Sequence, residues 1–573
     1  MQLVPGVSIL PFVLECTRAP GTCCRGPRRP GTLSTRRLLR SEDVMVREPQ
    51  RILVCTRALA AGACCLIGSY AALEARGCQA AAVRRSAPTA SAAAPHPSDT
   101  PPPVRPGLRA EAESDPLSAA YYLALKRQNP GLLVLAAERM GELGQRSRAL
   151  EALDLARSIC GRPLTPPELE RGGSNIRAYD RSRLAAAYAR LGKVAEGVKI
   201  ADSIREFSFE QGHGSRLGAL AKAEAQRAIA AKLAEMGDFD SALKLAESIQ
   251  ASKWIKVAPI GSALAAGSRL QRVPDDTSKL GALVDICVSL AKAHKVDEAR
   301  QTIDAITYPF GKARAAAAVS LVLDQQGQHT QAESLLDGAA AGAGKDAWLF
   351  VDLAQAYRRI GKKAAAGPLL DRAVRLVDSS GIEHGGAWLH LRVAEECFAA
   401  GRQQKAVKML DETFRAVKTT KYEAVREQVE LLKEAARISA RAGRFERARE
   451  MAKAIGDDDY GDEALLEVVK AYADARMATQ AYELARAIEY PDHRVAALAA
   501  AAGAWLGAGK RAEAAEALTL AMAALSKSLN PVHSLLEIEV RYREGGLLPD
   551  AAAKAALREL ASAADRAATA PAR

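Results

Sequence analysis

Few residues in this chain have the types and spacing that chemistry demands. The octet AAAGAGKD, residues 339–346, contains the Gly-Lys pair of a phosphate-cradling loop, in which backbone N–H groups hold the phosphates and the lysine reaches them. Such a loop also needs a glycine five places before Gly344 and a hydroxyl directly after Lys345 to hold Mg²⁺. Ala339 and Asp346 stand there instead, so the octet is expected as a flexible loop between helices. The run GDDDYGDE, residues 456–463, gathers acids as a calcium loop does, but Val468 occupies the place of the bidentate glutamate. It reads as a solvated loop at a helix start, where carboxylates complement the partial positive charge of the first turn.

The remaining reactive residues are scattered. No His-Glu-x-x-His, nucleophile elbow or Ser/His/Asp set appears, and His213, His384 and His390 are expected on the surface or in loops. Seven of the 10 cysteines (Cys16, Cys23, Cys24, Cys55, Cys64, Cys65 and Cys78) crowd the first part of the chain. Cys160, Cys287 and Cys397 are isolated, with no CxxC and no histidine at ligand spacing, and are expected as small hydrophobes in helix packing. The chemistry-bearing residues therefore predict no catalytic site, no cofactor and no metal site, and the chain reads as a non-enzyme.

Composition points to the elements behind them. Aromatics are only 5% of the 573 residues while alanine is abundant, which favours closely spaced helices over strands. The chain carries 80 Lys+Arg against 67 Asp+Glu, but residues 1–110 hold 15 Arg, no Lys and 6 acids. From residue 111 onward 65 bases face 61 acids, so the body lacks a basic footprint for binding a phosphate backbone.

The N-terminal region is an address and a tether in this reading. Residues 1–44 form a low-complexity basic extension. Residues 45–82 form a candidate signal peptide or signal anchor, in which Arg47, Arg51 and Arg57 precede the uncharged run Ala58–Leu73 and small residues follow. Residues 83–111 are a Pro/Ala-rich linker that cannot bury a core, and 566–573 a disordered tail. The expected location is exported, in the periplasm or cell envelope; cytoplasmic or organellar placement is the alternative. Membrane attachment is expected only through that N-terminal segment.

Residues 112–565 are repetitive. A turn residue is followed five places later by a small helix residue in eleven pairs: Gly144/Ala149, Gly192/Gly197, Gly237/Ala242, His294/Ala299, Gly327/Ala332, Gly361/Ala366, Gly401/Ala406, Gly443/Ala448, Arg476/Ala481, Gly509/Ala514 and Gly546/Ala551. Four of the intervals between turns are 33 or 34 residues. An amphipathic helix precedes each turn, such as Leu353, Ala354, Tyr357 and Ile360, and a second follows it. One such hairpin buries only part of its apolar face, so it must stack on others: an all-α solenoid of about eleven hairpins. Ile204, Ile249, Ile306, Ile455 and Ile488 stand twelve places after their turns, and Pro309 and Pro491 predict short second helices in two units. The stretches 161–175 and 250–280 break the period.

These units resemble tetratricopeptide repeats. The family's small mid-helix residue matches Ala137, Ala185, Ala230, Ala354, Ala394, Ala436 and Ala502, and its aromatic matches Tyr188, Tyr357, Tyr472, Trp505 and Tyr542. Leu233, Leu290 and Leu323 replace the aromatic elsewhere, and His294 and Arg476 replace the turn glycine. The resemblance implies a scaffold or assembly factor that binds another protein or peptide on the concave face of the first helices. Carried over by position, that face includes Arg183, Asp352, Gln355, Arg392, Glu395, Lys433, Arg437 and Lys470. The carboxylate clamp of the chaperone-binding members needs asparagines at two positions, and no unit has one at either. A helical-repeat RNA binder is the alternative, argued against by the near-neutral body, and an enzyme with accessory repeats comes third. No nucleic acid is expected.

Overall fold

The computed structural model describes residues 105–569 except 165–172, 205–213, 250–251, 258–270, 276, 308, 345, 381–385, 420–424 and 457. All of these belong to the compact unit Val54–Arg573. The candidate signal segment and the basic extension lie outside the described residues.

Two helices open the body, α1 (Leu108–Ala112) and α2 (Pro116–Lys126), the first beginning inside the stretch read as linker. Eleven hairpins follow. Their first helices are α3 (Pro130–Glu142), α5 (Gly173–Arg190), α7 (Gly214–Glu235), α9 (Thr277–Lys292), α11 (Pro309–Gln325), α13 (Ala347–Arg359), α15 (Gly386–Ala399), α17 (Val425–Arg441), α19 (Asp458–Asp474), α21 (Pro491–Gly507) and α23 (Pro531–Gly545). Their second helices are α4 (Arg146–Gly161), α6 (Val194–Asp202), α8 (Phe239–Ser248), α10 (Val296–Ala305), α12 (His329–Ala341), α14 (Lys363–Ser380), α16 (Gln403–Thr419), α18 (Phe445–Lys453), α20 (Ala478–Ala487), α22 (Arg511–Ala524) and α24 (Ala551–Thr569). The protein is an all-α, tetratricopeptide-like repeat array.

Every turn residue read from the sequence adopts positive φ, from 55° at Gly546 to 85° at Gly237, with His294 and Arg476 both at 60°. The left-handed residue lets two backbone N–H groups turn back onto the carbonyls of the ending helix. Lys193 N donates to Tyr188 O and Gly192 N to Ala189 O, each at 2.8 Å, and Lys295 N and His294 N repeat the pattern on Leu290 and Ala291. The following small residue is then pressed against the first helix. A Cβ added at Gly197 would lie 2.7 Å from Ala185 O, so unit two needs glycine where other units take alanine. Ala551 is the exception, since it is exposed and Ala553 is buried instead.

Hairpins come in two lengths. The five units carrying the isoleucine have second helices of only 9 or 10 residues. Ile249, Ile306 and Ile488 take extended backbone and end those helices. Four of the five isoleucines are buried, Ile455 partly. Pro491 then opens the next first helix. Within 250–280 an antiparallel ribbon, β1 (Ser252–Val257) and β2 (Gln271–Asp275), pairs Ile255 with Val273 and Lys256 with Arg272. It is the only sheet among the described residues, an insertion between hairpins three and four.

The array closes on itself. Each first helix packs on the first helices before and after it, and α23 packs on both α2 and α3. Second helices pack chiefly on the next hairpin's first helix, and α22 also packs on α24. Neighbours that touch on one side and part on the other define a curved layer, so the first helices form the inner wall. Helix α2 fills the seam. Residues 116–125 are buried on every side, as a helix apolar all round must be. Tyr122 Oη donates to Asp565 at 2.5 Å, and Lys126 and Arg109 pair with the same carboxylate at 2.8 and 3.0 Å. Arg139 of α3 reaches the buried Glu539 of α23 at 2.6 Å.

Candidate functional site

The helix period decides which residues face inward. Counted back from each turn, the fourth, seventh and eighth residues are core: Tyr357, Ala354 and Leu353 in unit six are all buried. The sixth, ninth and thirteenth residues lie three or four apart and so share the opposite face. Gln355, Asp352 and Trp348 are half-buried, and the same places in unit seven hold Glu395, Arg392 and Trp388.

On that face seven of the eight residues read from the sequence enter ion pairs or hydrogen bonds, five of them in one ladder. Arg392 of α15 lies 3.5 Å from Asp352 and 3.3 Å from Gln355 of α13, and 2.8 Å from Glu395 of its own helix. Arg437 of α17 continues the chain to Glu395 at 3.0 Å and to Glu434 at 2.5 Å. Lys433 forms a neighbouring link between Glu430 and Glu463, at 3.1 and 2.6 Å, and Lys470 pairs with Glu467 at 2.9 Å. Arg183 stands apart on α5, its guanidinium near the space above Gly131. Reversing Arg392, Lys433 and Arg437 would therefore strip Asp352, Glu430, Glu434 and Glu463 of their ion pairs and leave Glu395 only Arg441 at 3.7 Å, a folding defect more than a loss of binding.

Surrounding protein shifts the charged groups on this face. Burial raises the Asp352 carboxyl above the ordinary aspartate range, and Arg392 offsets only part of the effect. Burial opposes ionisation of Glu395 too, yet Arg437 and Arg392 together hold it below the glutamate range. Burial also works against Arg437, which Glu434 and Glu395 keep firmly protonated. Glu537 of α23 is open to solvent, but surrounding protein raises its carboxyl while Lys470, Arg541 and His493 pull it down. Lys470 sits on α19, with α21 between, and the half-buried Ala496 and Ala500 leave room for the two charges to sense each other. Across α3, surrounding protein lowers the exposed His533 and Arg183 lowers it further.

The wall is not uniform. In units three to five the sixth residue is apolar, Ala231, Val288 and Leu321, all half-buried, whereas the ninth and thirteenth places include Asp285, Glu224 and Arg314, and Asp285 pairs with Arg227. The sequence reading missed this apolar row because it sought charged residues. It also missed Glu434 and Glu467, which a strict count of nine residues back from each turn would have found. Lys433, ten back, is the more deeply set partner.

Other expectations resolve as follows. Asp346 of the phosphate-loop mimic caps α13, accepting from Trp348 N at 2.9 Å. Asp462 of the acidic run is buried and accepts from Glu489 N and Tyr490 N, holding the turn before Pro491. His390 is a correction: it is buried, not on the surface or in a loop. It stands eleven before its turn, where other units place the buried Leu133, Phe350, Leu432 and Leu498, and burial lowers its pKa despite Asp378. His213 and His384 lie outside the described residues. Cys160, Cys287 and Cys397 are free and buried, which pushes their thiols up to about 12, 12 and 11. No group of potential metal ligands occurs among the described residues, and none of their helices is long and apolar enough to cross a membrane.

No family model matches the chain, and no curated protein matches it in sequence. Similar solved structures include a human IFIT1 dimer with PPP-AAAA, 14% identical, TM-score 0.24, covering 73% of this chain and 99% of that one. The P58(IPK) TPR domain is 14% identical with TM-score 0.16, covering 72% of this chain and 97% of that one. A circular tandem repeat protein with novel repeat topology is 13% identical with TM-score 0.18, covering 79% and 97%. Scores this low do not superimpose whole molecules, so the fold rests on the hairpins described above. Those hairpins make the chain a tetratricopeptide-like helical repeat protein.

Proposed function

We propose that the chain is a non-enzymatic scaffold or assembly factor that holds a partner polypeptide against its inner wall. The observation that most supports this is the ladder through Asp352, Arg392, Glu395, Arg437 and Glu434: half-exposed charges of both signs, repeated over three consecutive helices. Neighbouring helix axes stand about 9 Å apart, so the wall offers fixed polar groups at a step that a polypeptide's side chains can match. A nucleic-acid backbone finds less there, because each ladder cation already faces a carboxylate. The location proposed with this function, the periplasm or cell envelope, rests on the sequence of residues 45–82.

The test is co-purification with the full chain, followed by identification of what is held. A variant that neutralises the ladder and leaves only the exposed Arg441 without its carboxylate, D352N/R392Q/E395Q/E434Q/R437Q, should keep the helical circular dichroism and lose about tenfold or more of the partner. A control on the outer Lys405–Asp378 pair, K405Q/D378N, should retain it. Equal capture by the neutralised wall, or a captured species removed by ribonuclease, would refute the proposal.

A further inference from the structure

One buried side chain carries chemistry that packing does not need. His390 lies eleven residues before its turn, where Leu133, Phe350, Leu432, Leu498 and Leu535 fill the same place in other hairpins, and it is only 4% exposed. Neither ring nitrogen completes a hydrogen bond of normal geometry among the described residues. A buried polar group in that condition costs stability that a leucine would not, so the fold alone does not select histidine here.

The groups around the ring come from the outer layer. Helices α14 and α16 both pack on α15. From α14 come Asp378 and the Val377 carbonyl, and from α16 come Glu412 and Lys405. Lys405 also holds Asp378 at 2.8 Å, tying the two second helices together beside the ring. The neighbouring first helices meet α15 elsewhere. Arg358 of α13 reaches Glu396, Asp352 of α13 faces Arg392, and Arg437 of α17 reaches Glu395. At about 100° per residue, those three positions lie about 120–160° around α15 from His390. The histidine and the ladder thus sit on opposite sides of one helix.

Burial pulls the His390 pKa below the ordinary histidine value, outweighing Asp378, the Val377 carbonyl and Glu412, which favour the charged ring; Lys405 sides with burial. A base whose folded pKa is depressed takes up its proton first where the chain has opened. Its stability contribution is complete above the unfolded value of about 6.5 and is lost as pH falls through that value toward the folded one. The ring reaches water only if α15 parts from α14 and α16, so acid favours that parting. Arg392 and Glu395 ride on α15, and their bonds to Asp352 and Arg437 need it in place. We propose that His390 makes the joint between hairpins six and seven proton-sensitive: uptake of a proton in mildly acid solution frees α15 from α14 and α16 and weakens the ladder's hold on its polypeptide. This rests on the reading that the inner wall binds polypeptide, and it adds how the wall lets go.

The test follows amide exchange in the full chain, corrected for the intrinsic effect of pH, at about pH 7.5 and about pH 5.5. Wild type should lose protection in α14–α16 by about three- to tenfold at the lower pH, within the tenfold per pH unit that one proton can supply. H390L restores the residue of the sister hairpins, and H390Q keeps a neutral polar side chain that does not ionise; both should hold that protection constant. The polypeptide that co-purifies at about pH 7.5 should bind wild type about three- to tenfold more weakly at about pH 5.5, and both variants equally at the two values. Asp352 and Glu537, whose carboxyls the surrounding protein raises, gain protons in the same direction. A response that persists in H390L and H390Q would belong to them and overturn the proposal, as would unchanged exchange in wild type. Loosened α14–α16 with the polypeptide still bound would refute release while leaving the binding wall standing. Capture that ignores neutralisation of the ladder would instead remove the wall, whatever the exchange shows.

Discussion

At the scale of single residues, the turns carry the clearest physical signature. Nine of the eleven turns use glycine at positive φ, where a Cβ costs roughly 1–2 kcal/mol, yet His294 and Arg476 adopt the same backbone at 60°. The surrounding hydrogen bonds are unchanged, with Lys295 N on Leu290 O and Met477 N on Tyr472 O, both at 2.9 Å. The left-handed conformation is thus imposed by the hairpin and tolerated by the residue. Part of the relief on substituting glycine is offset by its greater freedom in the unfolded chain. The variant H294G/R476G should therefore gain about 0.5–1 kcal/mol per site in urea unfolding. A loss of stability would mean that the two side chains contribute contacts worth more than the strain. The inverse case is Gly197, where a methyl group would press on Ala185 O.

At the scale of elements, the second helices set local spacing and α2 sets closure. Units ending in the buried isoleucine have second helices of 9 or 10 residues, against 13 to 19 in the other units, so successive hairpins cannot all rotate by the same angle. Helix α2 has neither a glycine turn nor the paired alanine, and its sequence PLSAAYYLALK is apolar all round. Ala120 is fully buried within it. Placing a carboxylate there, A120D, buries an unpaired charge and should cost at least 3 kcal/mol, on the order of breaking a buried pair. Amide exchange should then rise first in α2, α23 and α24, with α9–α17 protected nearly as before. Uniform loss of protection would show that the seam does not open apart from the rest.

At the scale of the molecule, closure is held by a small set of acids with charged partners. Burial tends to raise the Asp565 carboxyl, but Lys126, Tyr122 and Arg109 hold it below the ordinary aspartate value. A depressed carboxylate contributes its stability above the unfolded pKa of about 3.9, and that contribution fades as pH falls through the lower folded value. Wild type should therefore exceed D565N by about 1.5–3 kcal/mol in urea unfolding at pH 7, the worth of a hydrogen bond to a charged group. The difference should shrink below about pH 4. A pH-independent gap would assign the effect of D565N to packing.

What the amino-acid order by itself determined was everything that depends on neighbours within about forty residues. The eleven left-handed turns, the buried alanines at Ala149, Ala242 and Ala299, and the short helices ahead of Ile306 and Ile488 all arise from local backbone geometry and the 3.6-residue period. The eight residues assigned to the wall were placed by the same means, because a fixed offset from a turn fixes a helix face. Their pairing was not, since Arg392 meets Asp352 only when two hairpins stack at a particular angle. Closure was further out of reach. It accumulates the small rotations of eleven unequal units and joins residues such as Tyr122 and Asp565 at opposite ends of the body. Tertiary packing alone decided that the first helices became a closed circuit, because no local pattern records the sum of those rotations.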